Sequence, residues 1–127
     1  MTILPNEFYF DGGLSRLDAT SVMEVAVVCA KSKEKFLFHQ GTSNEAEWIA
    51  LLTAVETAIE QHVKDPIFIG DSQLVVEQAK GNWQIKAVHL YKYKYILDCL
   101  SDKFTNMSFK WVPRKNNLAG DFLEKQK

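Results

Sequence analysis

Asp65-Pro66-Ile67-Phe68-Ile69-Gly70-Asp71-Ser72-Gln73 is where the pattern of this chain turns over. Ile67-Phe68-Ile69 is a short, wholly apolar run, the mark of a strand covered on both faces as in a parallel sheet. Asp65-Pro66 breaks what comes before it. Upstream, from Asn44 to about His62, apolar residues fall at Trp48, Leu51, Leu52, Val55 and Ile59, which is helical spacing. Downstream, Ser72 to Lys80 reads as a second helix, ended by Gly81-Asn82. Helix, buried strand, helix makes a crossover unit of the kind that joins parallel strands.

The flanks complete the order. Glu7-Phe8-Tyr9-Phe10-Asp11 reads as a strand stopped by Gly12-Gly13. Ser21 to Ala30 holds Val22, Val25, Val27 and Val28 and reads as a second strand. Lys31-Ser32-Lys33-Glu34 is a polar turn, and Phe36-Leu37-Phe38 gives a third strand. Ala87 to Lys103 predicts a third helix. Met107, Phe109 and Trp111 alternate with Ser108 and Lys110 as a fifth strand, and a short helix runs from Asn117 to the end. The expected fold is therefore an α/β three-layer domain over residues 1–127. Its mixed five-stranded sheet begins as an antiparallel meander and carries helices on both faces.

Composition excludes several function classes. The 127 residues are 46% apolar and 24% charged, and no apolar run approaches the roughly 20 residues that span a bilayer. Residues 1–6 lack the basic segment and apolar stretch of a secretory signal, so a cytoplasmic protein is expected. Cys29 and Cys99 are the only cysteines, and both are expected as reduced core residues. The net charge is −1, but it is unevenly spread. Residues 1–79 hold five Lys/Arg against twelve Asp/Glu; residues 80–127 hold ten against four. An acidic half beside a basic half suits a polyanion on one side and cations on the other.

The acids carry the candidate chemistry. Asp11 ends the first strand and Asp71 follows the fourth; parallel neighbours would bring them out side by side, where open α/β sheets bind ligands. In the first helix Glu45, Glu56 and Glu60 share a flank, whereas Glu47 stacks with Leu51, Ala54 and Ala58 and so turns toward the body of the protein. A buried carboxylate is costly unless it meets a cation. Asp121 opens the last helix. Taken singly, each acid has a plainer reading: Asp71 as a helix cap, Asp11 as a turn residue, Asp121 as a complement to a helix dipole, Glu47 as an edge glutamate reaching solvent. Together they form a hard-oxygen set suited to Mg²⁺ or Mn²⁺. His39, His62 and His89 lack zinc-ligand spacing, and no phosphate loop or nucleophile motif is present.

Four segments resemble the motifs of type 1 ribonuclease H: Phe10-Asp11-Gly12-Gly13, Thr42-Ser43-Asn44-Glu45-Ala46-Glu47, Gly70-Asp71-Ser72-Gln73 and Arg114-Lys115-Asn116-Asn117-Leu118-Ala119-Gly120-Asp121. Their order and spacing agree with that family over nearly the whole chain. The resemblance implies a ribonuclease H-like fold in a short form, without a hybrid-binding domain or basic protrusion. It implies an endoribonuclease that cuts the RNA strand of RNA–DNA hybrids, leaving 5′-phosphate and 3′-hydroxyl ends. Asp11, Glu47, Asp71 and Asp121 would hold two Mg²⁺ ions, with Mn²⁺ as a substitute. Gly12, Gly13, Asn44, Ser72 and Gln73 would meet the RNA strand, and Thr42 a DNA phosphate. Trp83 and Lys86 are candidates for the DNA channel, although Trp83 also reads as a hydrophobic helix-end contact. Arg114 and Asn117 complete the candidate substrate contacts. No obligate protein partner is implied, and a monomer is expected.

The chain also departs from that family. Leu14-Ser15-Arg16-Leu17-Asp18-Ala19-Thr20 stands where many members have a Gly/Pro-rich turn. The histidine that many members carry before the last aspartate is missing, and Arg114 or Lys115 is a candidate replacement. Gly120 before Asp121 is unusual in a helix. Two other readings stay open: a 3′–5′ exonuclease of the same superfamily, and a non-catalytic nucleic-acid-binding domain. Gly13 and Asn116-Asn117 stand where the exonucleases usually carry an acid and a His or Tyr.

Overall fold

The computed structural model describes residues 2–17 and 20–126, with Leu17 described by its backbone alone. The first strand, β1 (Glu7–Leu17), pairs antiparallel with β2 (Thr20–Cys29), which pairs antiparallel with β3 (Lys33–Phe38). Helix α1 (Ser43–Glu60) then crosses to β4 (Ile67–Gly70), which lies parallel to β1. After α2 (Gln73–Lys80) and α3 (Tyr91–Leu100), β5 (Ser108–Trp111) adds parallel to β4, and α4 (Leu118–Lys125) ends the fold. The sheet order is β3-β2-β1-β4-β5, a mixed five-stranded sheet with helices on both faces.

Strand parity explains the layers. Phe8 and Phe10 of β1, Val25 and Val27 of β2 and Phe68 of β4 point to one face and join Trp48, Leu51, Val55, Val75 and Leu97 in the main core. Ala26 and Val28 point to the other face and pack on Ala119 and Leu123 of α4, with Tyr9 and Phe122 at the edge. With helices on both sides, every residue from Met23 to Cys29 is buried. That is why the β2 segment reads as a nearly continuous apolar run.

The sequence expectations differ from the structure at several places. β1 does not stop at Gly12-Gly13; it continues to Leu17, with Gly12 opposite Val25 and Gly13 opposite Glu24. Its parallel pairing with β4 covers only Glu7–Tyr9, so the sheet divides beside Asp11 although the strand does not end there. The turn after β2 falls at residues 30–32, earlier than expected, because β3 already begins at Lys33. The third helix is shorter than Ala87–Lys103, with 3-10 turns at Val88–Leu90 and Ser101–Lys103 on either side of α3. Cys29 is buried as expected, but Cys99 is exposed, on the outer side of α3. Of the residues 14–20 that replace the family's turn, Asp18 and Ala19 lie outside the described residues. No described helix is long and apolar enough to cross a membrane.

Candidate active site

Asp11 sits on the α4 face of β1 and is 2% exposed. One residue on, the Gly12 N–H donates to Glu47 Oε1 at 2.9 Å. A Cβ at residue 12 would collide with the Ala46 carbonyl oxygen, so glycine there lets the first turn of α1 lie directly on the strand. Thr42 and Glu45 fix that turn through a reciprocal capping box. Tyr93 of α3 braces it, its hydroxyl donating to Glu45 Oε2 at 2.9 Å. Glu47 is thereby aimed inward at Asp11.

Asp71 leaves the end of β4 beside them. The cap of α2 is the next residue, Ser72, whose hydroxyl accepts from the Val75 N–H at 3.3 Å. The Asp71 carboxylate is therefore spared for the site. Its Oδ2 accepts from Asn117 Nδ2 at 2.9 Å, and Trp111 Nε1 donates to its carbonyl at 3.0 Å. Asp11, Glu47 and Asp71 each present an oxygen within 4.8 Å of the others.

Three carboxylates this close disturb one another. Burial, and then the neighbouring Asp11 and Asp71, push the Glu47 carboxyl up to about 9. Burial and Asp71 push Asp11 up to about 7, against the lowering influence of Arg114. Asp11 Oδ1 is buried and accepts no hydrogen bond. Such an oxygen, in a nest of hard anionic donors without sulfur or imidazole, suits a hard divalent cation.

Asp121 does not join this group. It lies on the outer side of α4 with its side chain 57% exposed, and its Oδ2 is 3.1 Å from Lys125 Nζ. Gly120 faces the acids in its place: a Cβ there would stand 3.3 Å from Asp11 Oδ2 and 3.7 Å from Asp71 Oδ2. The glycine allows the α4 backbone to approach them.

The other candidates separate into groups. Gly12, Gly13, Asn44, Ser72 and Arg114 line a cavity of about 440 Å³ with the three acids. Asn44 also borders a neighbouring groove of about 570 Å³ that holds Trp83 and Lys86. Trp83 is 44% exposed there. Gln73 is exposed at the start of α2, and Thr42 is exposed beside the groove-facing turn. Asn117 differs from the expectation of a substrate contact, because it is fully buried. Its amide donates to Phe10 O and Asp71 Oδ2, and its Oδ1 accepts from the Ala119 N–H. It is a positioning residue. Sequence reasoning passed over two acids that line the same cavity, Glu24 and Glu124. Glu24 is 3% exposed and lies 3.7 Å from Lys35 Nζ. A lone acid inside Val22-Met23-Glu24-Val25-Ala26 was the available signal.

Residues 8–126 match the family described as reverse transcriptase-like. The chain belongs to that family, which has the ribonuclease H-like fold. This reverse transcriptase-like chain is 32% identical over 98 residues to the bifunctional protein Rv2228c of Mycobacterium tuberculosis, covering 77% of the chain and 26% of that protein. It thus spans about a quarter of that relative's length. Among solved structures, the N-terminal ribonuclease H domain of Rv2228c, solved as a fusion with maltose-binding protein, superposes with a TM-score of 0.78. The identity is 27%, with 92% of this chain and 93% of that one covered. Ribonuclease H1 from Halobacterium salinarum superposes with a TM-score of 0.77 at 30% identity, covering 92% of each.

Proposed function

We propose that this chain is one ribonuclease H domain that cuts the RNA strand of RNA–DNA hybrids internally, leaving 5′-phosphate and 3′-hydroxyl ends. The observation that carries the reading is the meeting of Asp11, Glu47 and Asp71, each with an oxygen within 4.8 Å of the others, beside a buried Asp11 Oδ1 that accepts no hydrogen bond. Asp11, Glu47, Asp71 and Asp121 would hold two Mg²⁺ ions, or Mn²⁺ in their place. When bound, the pair supplies an activated water and stabilises the leaving 3′ oxygen.

The chain's own residues supply the rest. Gly12 holds Glu47 inward, and Asn117 fixes Asp71 against β1. Asp121 reaches the site by leaving Lys125, an exposed i,i+4 pair of a kind that restrains a side chain weakly, by about 0.5 kcal/mol or less. Asn44 and Ser72, which line the cavity of the acids, and Gln73, exposed at the start of α2, would meet the RNA strand, with selectivity from 2′-hydroxyls across a wide minor groove. Trp83 and Lys86 in the adjoining groove receive the DNA strand, by stacking and by charge. The Thr42 hydroxyl oxygen accepts from the Glu45 N–H at the helix cap, and its O–H would donate to a DNA phosphate beside the exposed start of α1. The protein acts as a monomer in the cytoplasm without an obligate partner.

The test is incubation of labelled hybrid, RNA duplex and DNA duplex with Mg²⁺, Mn²⁺ or EDTA. Internal cuts in hybrid RNA alone, lost in EDTA and in Asp71→Asn, support the reading. Trimming from one end points to the exonuclease, and binding without cleavage points to a non-catalytic module.

A further inference from the structure

The guanidinium of Arg114 lies across the mouth of the carboxylate site. Its Nη1 is 3.6 Å from Asp71 Oδ2 and 3.9 Å from Asp11 Oδ1, and its Nη2 is 3.6 Å from Glu124 Oε1. These separations exceed the 2.7–2.9 Å typical of a charge-assisted hydrogen bond, so the group is held by charge and not by directed bonds. The side chain is 63% exposed, while its backbone carbonyl accepts from the Asn117 N–H at 3.1 Å. The tether is fixed and the head is loose. Lys35 reaches the same cavity only through Glu24, 3.7 Å away.

We propose that Arg114 is a tethered counter-cation that is exchanged for the divalent metal, so that it sets the metal affinity of the site. This rests on the metal-dependent reading above and deepens it. Once ionised, three carboxylates this close need positive charge beside them. The guanidinium supplies one unit from outside, without satisfying Asp11 Oδ1, and a divalent ion supplies two at the oxygens themselves. Entry of the ion moves the guanidinium toward Glu124, on the rim of the same cavity, where it faces an arriving phosphate. Metal loading and substrate binding are then linked, because phosphate gives the displaced arginine a new partner.

The experiment is calorimetric titration of the full chain with Mn²⁺ alone, without nucleic acid, for wild type, Arg114→Gln and Arg114→Lys. Arg114→Gln removes the competing charge and is expected to bind Mn²⁺ about three- to tenfold more tightly. Arg114→Lys keeps the charge and stays within about twofold of wild type. Melting in EDTA is the second measurement: Arg114→Gln melts lower than wild type, and saturating Mn²⁺ closes the gap. A wild type that binds Mn²⁺ while Arg114→Gln binds it equally or more weakly overturns the counter-cation role alone. A wild type that binds no Mn²⁺ overturns this role together with the metal chemistry on which it rests.

Discussion

Asn117 Nδ2 donates 2.9 Å to Asp71 Oδ2 and 3.0 Å to the Phe10 carbonyl, so one buried amide joins the last helix, the fourth strand and the first. The same side chain caps α4. Asn117→Ala leaves the Phe10 carbonyl unsatisfied and the helix uncapped, which together cost about 2–4 kcal/mol. Denaturant midpoints check the cost. Turnover falls with it, because Asp71 loses its orientation.

Glu47 and Asp11 make the metal-free protein pH-sensitive. Both carboxyls are raised in the folded state, to about 9 and about 7, from ordinary values of 4.5 and 3.8. A raised acid binds its proton more tightly when folded, so its contribution to stability is complete below the unfolded value and is lost as pH climbs through the folded one. In EDTA the melting temperature should therefore fall between about pH 4 and pH 9. Glu47→Gln keeps an oxygen for the Gly12 N–H and removes the charge. It should flatten that decline and melt several degrees above wild type at pH 9, while hybrid cleavage is lost.

Metal should reverse the same repulsion. At a concentration about one hundred times its dissociation constant, Mg²⁺ or Mn²⁺ stabilises by about 2.7 kcal/mol. The gain grows with pH, since binding requires the carboxylates to release protons. Melting scans at three pH values with and without Mn²⁺ measure it, and equal gains at all three would contradict the carboxylate site.

Asp121 separates chemistry from stability. It is exposed and its pair with Lys125 is a surface one, so Asp121→Asn should change stability by less than about 0.5 kcal/mol. Cleavage should fall by at least about tenfold if the side chain joins the acids during reaction. Unchanged turnover would leave the chemistry to Asp11, Glu47 and Asp71.

Trp83→Ala tests the groove. The ring is 44% exposed and lines it beside Lys86. Its loss should raise KM for hybrid about five- to thirtyfold, with a smaller change in kcat. A fall in kcat alone would place the ring outside the binding surface.

Much of this arrangement was legible in the residues. The Ile67-Phe68-Ile69 run, the helical spacing from Trp48 to Ile59 and the valines of β2 fixed the layers, because burial on one or both faces leaves a period in the sequence. The inward turn of Glu47 could be read from its place on the small-residue stripe of α1. Other features left no period. Gly12-Gly13 reads as a stop, yet the strand continues, and at Gly12 the missing side chain is what lets α1 approach closely. Asn117 reads as the start of the last helix and a substrate contact, and only tertiary contact shows that its amide is engaged inside. Asp121 could be placed on its helix but not on a side of it, since α4 packs on both the sheet and the acids through Ala119 and Gly120.

Diffraction from crystals grown with Mn²⁺ and an uncleavable hybrid, recorded for the anomalous signal of manganese, tests the shared cation site most directly. The account predicts two peaks bounded by the oxygens of Asp11, Glu47, Asp71 and Asp121, with Arg114 displaced toward Glu124 or a phosphate. Full Mn²⁺ saturation with no peak among those oxygens would contradict it.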